Sequence, residues 1–168
     1  MKVAILSEST ADEAAVKILL DAIFGEETEI ASYRVRLRSG GWSPILTEFP
    51  RIVRAVYYAA EADAIAVVLD SDDTAIHKPE HGENPESKCR LCELVQIFKG
   101  EEIRPMPGRE MIDAAIGLAV PAIEAWLLCG VNRHIGEASW ERWLLNRQNC
   151  NYNRKSLKSE LYGTERPS

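Results

Sequence analysis

Hydrophobic positions in the first part of the chain alternate between two periods. Val3–Leu6 is a short continuous apolar run, which predicts a buried strand. After Ser7-Glu8-Ser9-Thr10, apolar residues recur at Val16, Leu19, Leu20, Ile23 and Phe24, the spacing of one helix face. Thr10 with Glu13 three residues on reads as a capping box, and Gly25 as the stop. Over Thr28–Arg38, Tyr33, Val35 and Leu37 alternate with Arg34, Arg36 and Arg38, which predicts a strand with one basic face. Ser39-Gly40-Gly41 follows as a loop. The next helix carries Phe49, Ile52, Val53, Val56, Tyr57 and Ala60, with Pro50 expected in its first turn. Ala64–Leu69 is a third, wholly apolar strand.

Beyond it, residues 74–88 read as a polar loop, and a helix runs from about Ser87 to Phe98 with Gly100 closing it. Ile112–Val120 contains another apolar strand. Pro121 is suited to opening a helix over Ala122–Cys129, and two more amphipathic helices fall around Trp140–Leu145 and Arg154–Tyr162. Strands alternating with helices predict an α/β fold, a mostly parallel sheet with helices on both faces and a helical C-terminal extension. The expected division is an α/β domain over 1–130 and the extension, packed on it, over 131–168.

Composition narrows the class. The chain has 168 residues, 46% hydrophobic and 27% charged, the profile of a globular domain with a real core. No apolar run is long enough to span a membrane, and Met1–Leu6 is too short for a secretory signal, so a cytoplasmic protein without structural disulfides is expected. The net charge of −6 argues against a generally basic nucleic-acid binder. It is unevenly spread: residues 131–168 carry seven Lys and Arg against four Asp and Glu, net +3, leaving −9 on the first 130. An acidic body with a basic tail suits a metal site beside a phosphate-binding surface.

The candidate chemistry sits where strands end, as ligand sites do in open α/β sheets. Glu8 follows the first strand. The third runs directly into Asp70-Ser71-Asp72-Asp73-Thr74. Carboxylates this close repel unless a cation intervenes, and hard divalent metals take such oxygen ligands. Glu8 with Asp70 and Asp72 would form a metal site with one group left for acid–base work.

In Leu6-Ser7-Glu8, Leu69-Asp70-Ser71-Asp72 and the later Val120-Pro121-Ala122-Ile123-Glu124-Ala125-Trp126-Leu127-Leu128, the chain resembles the Toprim-fold family. It is most similar to small stand-alone nuclease domains related to the overcoming-lysogenization-defect (OLD) nucleases. The resemblance implies Mg²⁺- or Mn²⁺-dependent cleavage or transfer at a nucleic-acid phosphodiester, in a phage-defence setting. Glu8 would be acid–base or ligand, Asp70 and Asp72 metal ligands, and Glu124 a support or second-ion ligand. The family's downstream Lys has no clear counterpart; Lys155 and Lys158 are nearest.

Two alternatives stay open. Asp70-Ser71-Asp72-Asp73-Thr74 also resembles the Asp-x-Asp-x-Thr motif of haloacid-dehalogenase-like phosphatases, with Asp70 as nucleophile and Asp72 as acid–base. That motif normally follows a first strand. The second alternative is a non-catalytic Toprim-like module that binds a protein partner in a defence or toxin–antitoxin system. There, removing Asp70 could even help folding by relieving repulsion. Oligomeric state is open. Arg34, Arg36, Arg38, Lys155 and Lys158 are candidate nucleic-acid contacts. His77, His81, Cys89 and Cys92, within sixteen residues, are candidate ligands of a structural Zn²⁺.

Overall fold

The computed structural model describes residues 1–33, 35, 41–72, 74, 76–82, 89–132, 134–146 and 152–164. The elements, in chain order, are β1 (Lys2–Leu6), α1 (Thr10–Phe24), β2 (Glu29–Ile30), α2 (Trp42–Tyr58), β3 (Ala64–Asp70), a 3₁₀ turn (Pro79–Gly82), α3 (Arg90–Gly100), β4 (Asp113–Ala119), α4 (Ile123–Cys129), α5 (Glu137–Asn146) and α6 (Arg154–Tyr162). The four strands form one parallel sheet in the order β2-β1-β3-β4, so the fold is α/β with Rossmann-like layering. β1 pairs with β2 from Lys2 opposite Glu29, and with β3 from Val3 opposite Ala64 to Leu6 opposite Val67. Central strands of a parallel sheet are covered on both faces, which explains why β3 reads as an unbroken apolar run. Among the described residues, no helix is long and apolar enough to cross a membrane.

The chain forms two compact units that interleave in sequence. One comprises Met1–Leu69 and Leu91–Gly117, the other Asp70–Arg90 and Leu118–Ser168. Residues 118–130 thus group with the last third of the chain.

In the first unit the apolar core includes β1, β3 and one face of α2. Ile45, Phe49, Ile52, Val53, Val56 and Tyr57 recur at helical spacing and are completely buried. Each such side chain is worth about 1.5–3 kcal/mol in removal from water. Tyr57 also anchors the loop before β4: its hydroxyl accepts from Met106 N–H at 3.1 Å, and Arg109 stacks on its ring at 4.7 Å. Arg109 donates to the Tyr57 and Ala62 carbonyls as well.

Four local expectations are corrected. The cap of α1 is Ser9, whose hydroxyl accepts from Asp12 N–H at 3.2 Å, rather than Thr10, which is the first helical residue. Ile23 and Phe24 are exposed, so the α1 stripe is covered only in part. β2 is two residues long; 31–33 and 35 are not strand, and Arg34, Arg36 and Arg38 lie outside the described residues. Pro50 lies in the interior of α2, where it removes one hydrogen-bond donor from a helix that packing sustains.

The second unit has its own core. Val120, Ala125, Leu128, Ile135, Trp140, Tyr152 and Leu157 are buried together, with Ile76, Trp143, Leu144 and Leu161 against them. The Trp140 ring lies 4.6 Å from that of Trp143 and stacks on Tyr152 at 5.8 Å. The Tyr152 hydroxyl donates to Gly136 O at 2.8 Å and accepts from its N–H at 3.3 Å. Asn153 opens α6 with a reciprocal capping box to Ser156.

Candidate functional site

β3 ends at Asp70, and the backbone beyond it is held rigidly. Ser71 N–H donates to Ala119 O at 2.9 Å and Asp72 N–H to Pro121 O at 3.0 Å. Asp72 then adopts φ 52°, the left-handed region that Asp tolerates better than most residues. Such conformations persist where surrounding bonds over-determine them, which is the case here. Thr74 closes the turn with its N–H on Ser71 O at 3.1 Å. Asp73 lies outside the described residues.

The two carboxylates do not face each other across an open gap; cations stand against both. Arg154 places Nη1 2.5 Å from Asp72 Oδ1 and Nη2 3.7 Å from Asp70 Oδ2. Arg90 Nη1 lies 2.9 Å from Asp72 Oδ2 and donates to the Asp70 carbonyl at 2.8 Å. Asp70 Oδ1 accepts from Ile123 N–H at 3.0 Å. It thereby caps α4, whose own N-cap residue, Ala122, has no side chain to do so. Glu124, one residue on, has its side chain 3% exposed, with Oε1 3.9 Å from Lys158 Nζ. Its Oε2 is buried without a hydrogen bond among the described residues. The cluster thus contains Asp70, Asp72 and Glu124 against Arg90, Arg154 and Lys158, three charges of each sign.

All six residues belong to the second unit. Glu8 belongs to the first; it follows β1, is half-buried, and engages in a polar interaction. Lys158 is half-buried against Glu124, while Lys155 is exposed on α6. Arg90 and Arg154 are the residues that the sequence did not single out as partners of the acids. The available signal was weak: Arg154 and Lys158 share a face of α6, four residues apart.

Among the described residues, one group brings three metal-capable side chains together, and it is not the acids. The ligand atoms of His77, Cys89 and Cys92 all lie within 4.8 Å of one another, with His77 Nδ1 3.4 Å from Cys89 Sγ. The boundary between the units falls inside α3, between Arg90 and Leu91. Cys89 immediately precedes α3, and Cys92 lies in its first turn. His81 stands beside this group, its ring 5.9 Å from that of His77 and its Nδ1 accepting from Lys78 N–H at 3.3 Å. Within the second unit, Asp70, Asp72 and Glu124 do not form such a group as they stand.

The first unit also has a cavity of about 420 Å³, lined in part by Glu13, Lys17 and Tyr33. Burial, and then the charge of Asp12, raises the Glu13 carboxyl above its ordinary value. Burial and then Glu13 do the same to the Tyr33 phenol, whose hydroxyl donates to Ile5 O at 2.9 Å. Compared with family models, with curated proteins and with solved structures, the chain finds no match.

Proposed function

We propose that the chain is a divalent-metal-dependent phosphoryl-transfer enzyme acting on nucleic-acid phosphodiesters, a Toprim-like nuclease centred on Asp70 and Asp72. The observation that carries this reading is the partly buried, charge-balanced cluster at the end of β3. Its carboxylates are hard oxygen donors, and the orphaned Glu124 Oε2 adds one more. Mg²⁺ is commonly held by one or two carboxylates, with phosphate and water completing its shell. Asp70 and Asp72 meet that requirement, so the donor set fits. When bound, the ion polarises a phosphoryl oxygen and offsets the charge that develops there.

The remaining duties fall to the chain's own groups. Arg90 and Arg154 carry permanently charged planar forks that bind phosphate oxygens as readily as carboxylates. Passing from carboxylate to phosphate, Arg154 would orient the diester while Lys158 adds a point charge. Glu124 would support the ion's shell through Oε2. Because the cluster is already balanced, a divalent ion alone would leave an excess of positive charge that a phosphate anion reduces. Metal and phosphate are therefore expected to bind better together than apart. A phosphatase in which Asp70 attacks is less favoured, since one of its oxygens is committed to Ile123 N–H. Glu8 keeps an acid–base role on the family resemblance alone.

The test is cleavage of single- and double-stranded DNA and RNA with Mg²⁺ or Mn²⁺, alongside calorimetric titration of metal with and without a non-cleavable phosphodiester. Metal-dependent cleavage that Asp72→Asn lowers by at least about 100-fold is expected. Neither cleavage nor metal binding in wild type, with the diester present, would leave the non-catalytic partner module as the better reading.

A further inference from the structure

The cavity of about 420 Å³ lies wholly within the first unit and uses no residue of the charged cluster that follows β3. Small-molecule sites begin at about 300 Å³. Open α/β sheets place their ligands beyond the carboxyl ends of strands, and this cavity has that position. Ile5 of β1 and the stretch from Ile30 to Tyr33, where β2 ends, form one wall. Glu13, Ala14 and Lys17, neighbours on one face of α1, form the other.

The charges on these walls are unequally engaged. Lys17 Nζ stands 2.7 Å from Asp21 Oδ2 and 3.6 Å from Glu27 Oε1, two carboxylates that do not line the cavity. Glu13 is half-buried, and among the described residues its carboxylate makes no hydrogen bond or ion pair. Asp12, beside it in the chain, repels it. Tyr33 commits its one hydroxyl proton to Ile5 O at 2.9 Å, so its oxygen can only accept from a ligand. A carboxylate and an accepting phenol oxygen call for a donor that carries positive charge. Beside them, Ile30 and Val35 offer apolar surface, and Ile30 is still 39% exposed. We propose that this cavity binds a small organic cation, a primary ammonium on a short apolar body. The ammonium would meet Glu13 and Tyr33 in charge-assisted hydrogen bonds, and the body would cover Ile30 and Val35. An anion of the same shape would face a repelling Glu13 and a Lys17 already held by two acids.

Titration of the full chain with phenethylamine, followed by its amide resonances, tests this, with 3-phenylpropionate as the anion of matching shape. Phenethylamine should saturate one site with a Kd of about 1 mM or tighter, and 3-phenylpropionate should bind at least about tenfold more weakly. The shifts should centre on Ile30, Ala31, Tyr33 and the first half of α1. Glu13→Gln keeps the shape, removes the charge and should weaken phenethylamine at least about tenfold. Ala14→Leu fills the cavity from an exposed helix position and should weaken both probes. Asp12→Asn, which removes an acid outside the lining, should stay within about threefold of wild type. Failure of phenethylamine to bind, equal binding of 3-phenylpropionate, or shifts centred elsewhere would overturn the site. Unchanged affinity in Glu13→Gln, or equal loss in Asp12→Asn, would overturn the role of Glu13. Should Glu13→Gln fail to fold, Ala14→Leu and the wild-type shifts still decide.

Discussion

The first unit sets Lys17 against Asp21 at 2.7 Å and Arg51 against Glu48 at 3.4 Å, pairs with at least one well-exposed or half-exposed member. The second unit draws Asp70 and Glu124 inward, to side-chain exposures of 9% and 3%, and brings cations in after them. Pairs of the first kind contribute little to stability. Those of the second kind are costly to desolvate and costly again to break, because the survivor is left uncompensated. The contrast separates two uses of charge. In the first unit the one buried ion-paired carboxylate among the described residues, Glu101, meets an Arg54 that stays well exposed, while in the second a cluster of several charges is kept in place despite its cost.

The largest effect should come from the apolar core of the first unit. Phe49→Ala empties a fully buried position on α2 and should cost about 3–5 kcal/mol in chemical denaturation. A loss below about 1 kcal/mol would show that the first unit is not governed by its core. Next comes Asp70. Asp70→Asn keeps an oxygen to cap α4 but removes the charge facing Arg154, and should destabilise by about 1–3 kcal/mol. Asp70→Ala adds the lost cap, about 1 kcal/mol more. Repulsion at an unmatched acidic strand end would predict the opposite sign, so a stabilised Asp70→Ala chain would break the comparison outright.

A smaller effect is expected at Glu13. Its carboxyl is raised in the folded state, so its contribution is fully present below the ordinary value of 4.5 and is lost as pH rises through the folded value. Glu13→Gln should therefore gain on wild type between pH 4 and pH 7, seen as a rising difference in thermal midpoint. The smallest effect belongs to Asp21, held down to about 2 by Lys17 and by Thr28 N–H. Its contribution is present above the ordinary 3.8 and fades as pH falls toward 2. Asp21→Asn should erase only that acid-side fade, and added salt should weaken the wild-type effect.

What the chain disclosed in advance follows the range of the interactions. β3 and the buried face of α2 were legible because burial imposes a local period on the residues themselves. Ser9 and Thr10 both offer a capping hydroxyl, and one residue of register separated them. Ile23 and Phe24 fit a helical stripe, but periodicity reports a face and not whether anything covers it. The acids at the end of β3 were visible as a run; their partners were not. Arg154 lies more than eighty residues from Asp72, and Arg90 is embedded in a Cys-Arg-Leu-Cys stretch that draws attention to its sulfurs. Pairing at that distance is decided by topology, which no local pattern encodes.

The aromatic cluster around Trp140 has an optical consequence. Of the four tryptophans, Trp126, Trp140 and Trp143 belong to the second unit and only Trp42 to the first. Trp140 lies between Trp143 and Tyr152 at 4.6 and 5.8 Å, close enough to quench and couple. Intrinsic emission therefore reports chiefly on the second unit, whereas far-ultraviolet dichroism is weighted by α1 and α2 as well. If the two units come apart in separate steps, the two signals will trace different unfolding curves from one sample, with no label attached.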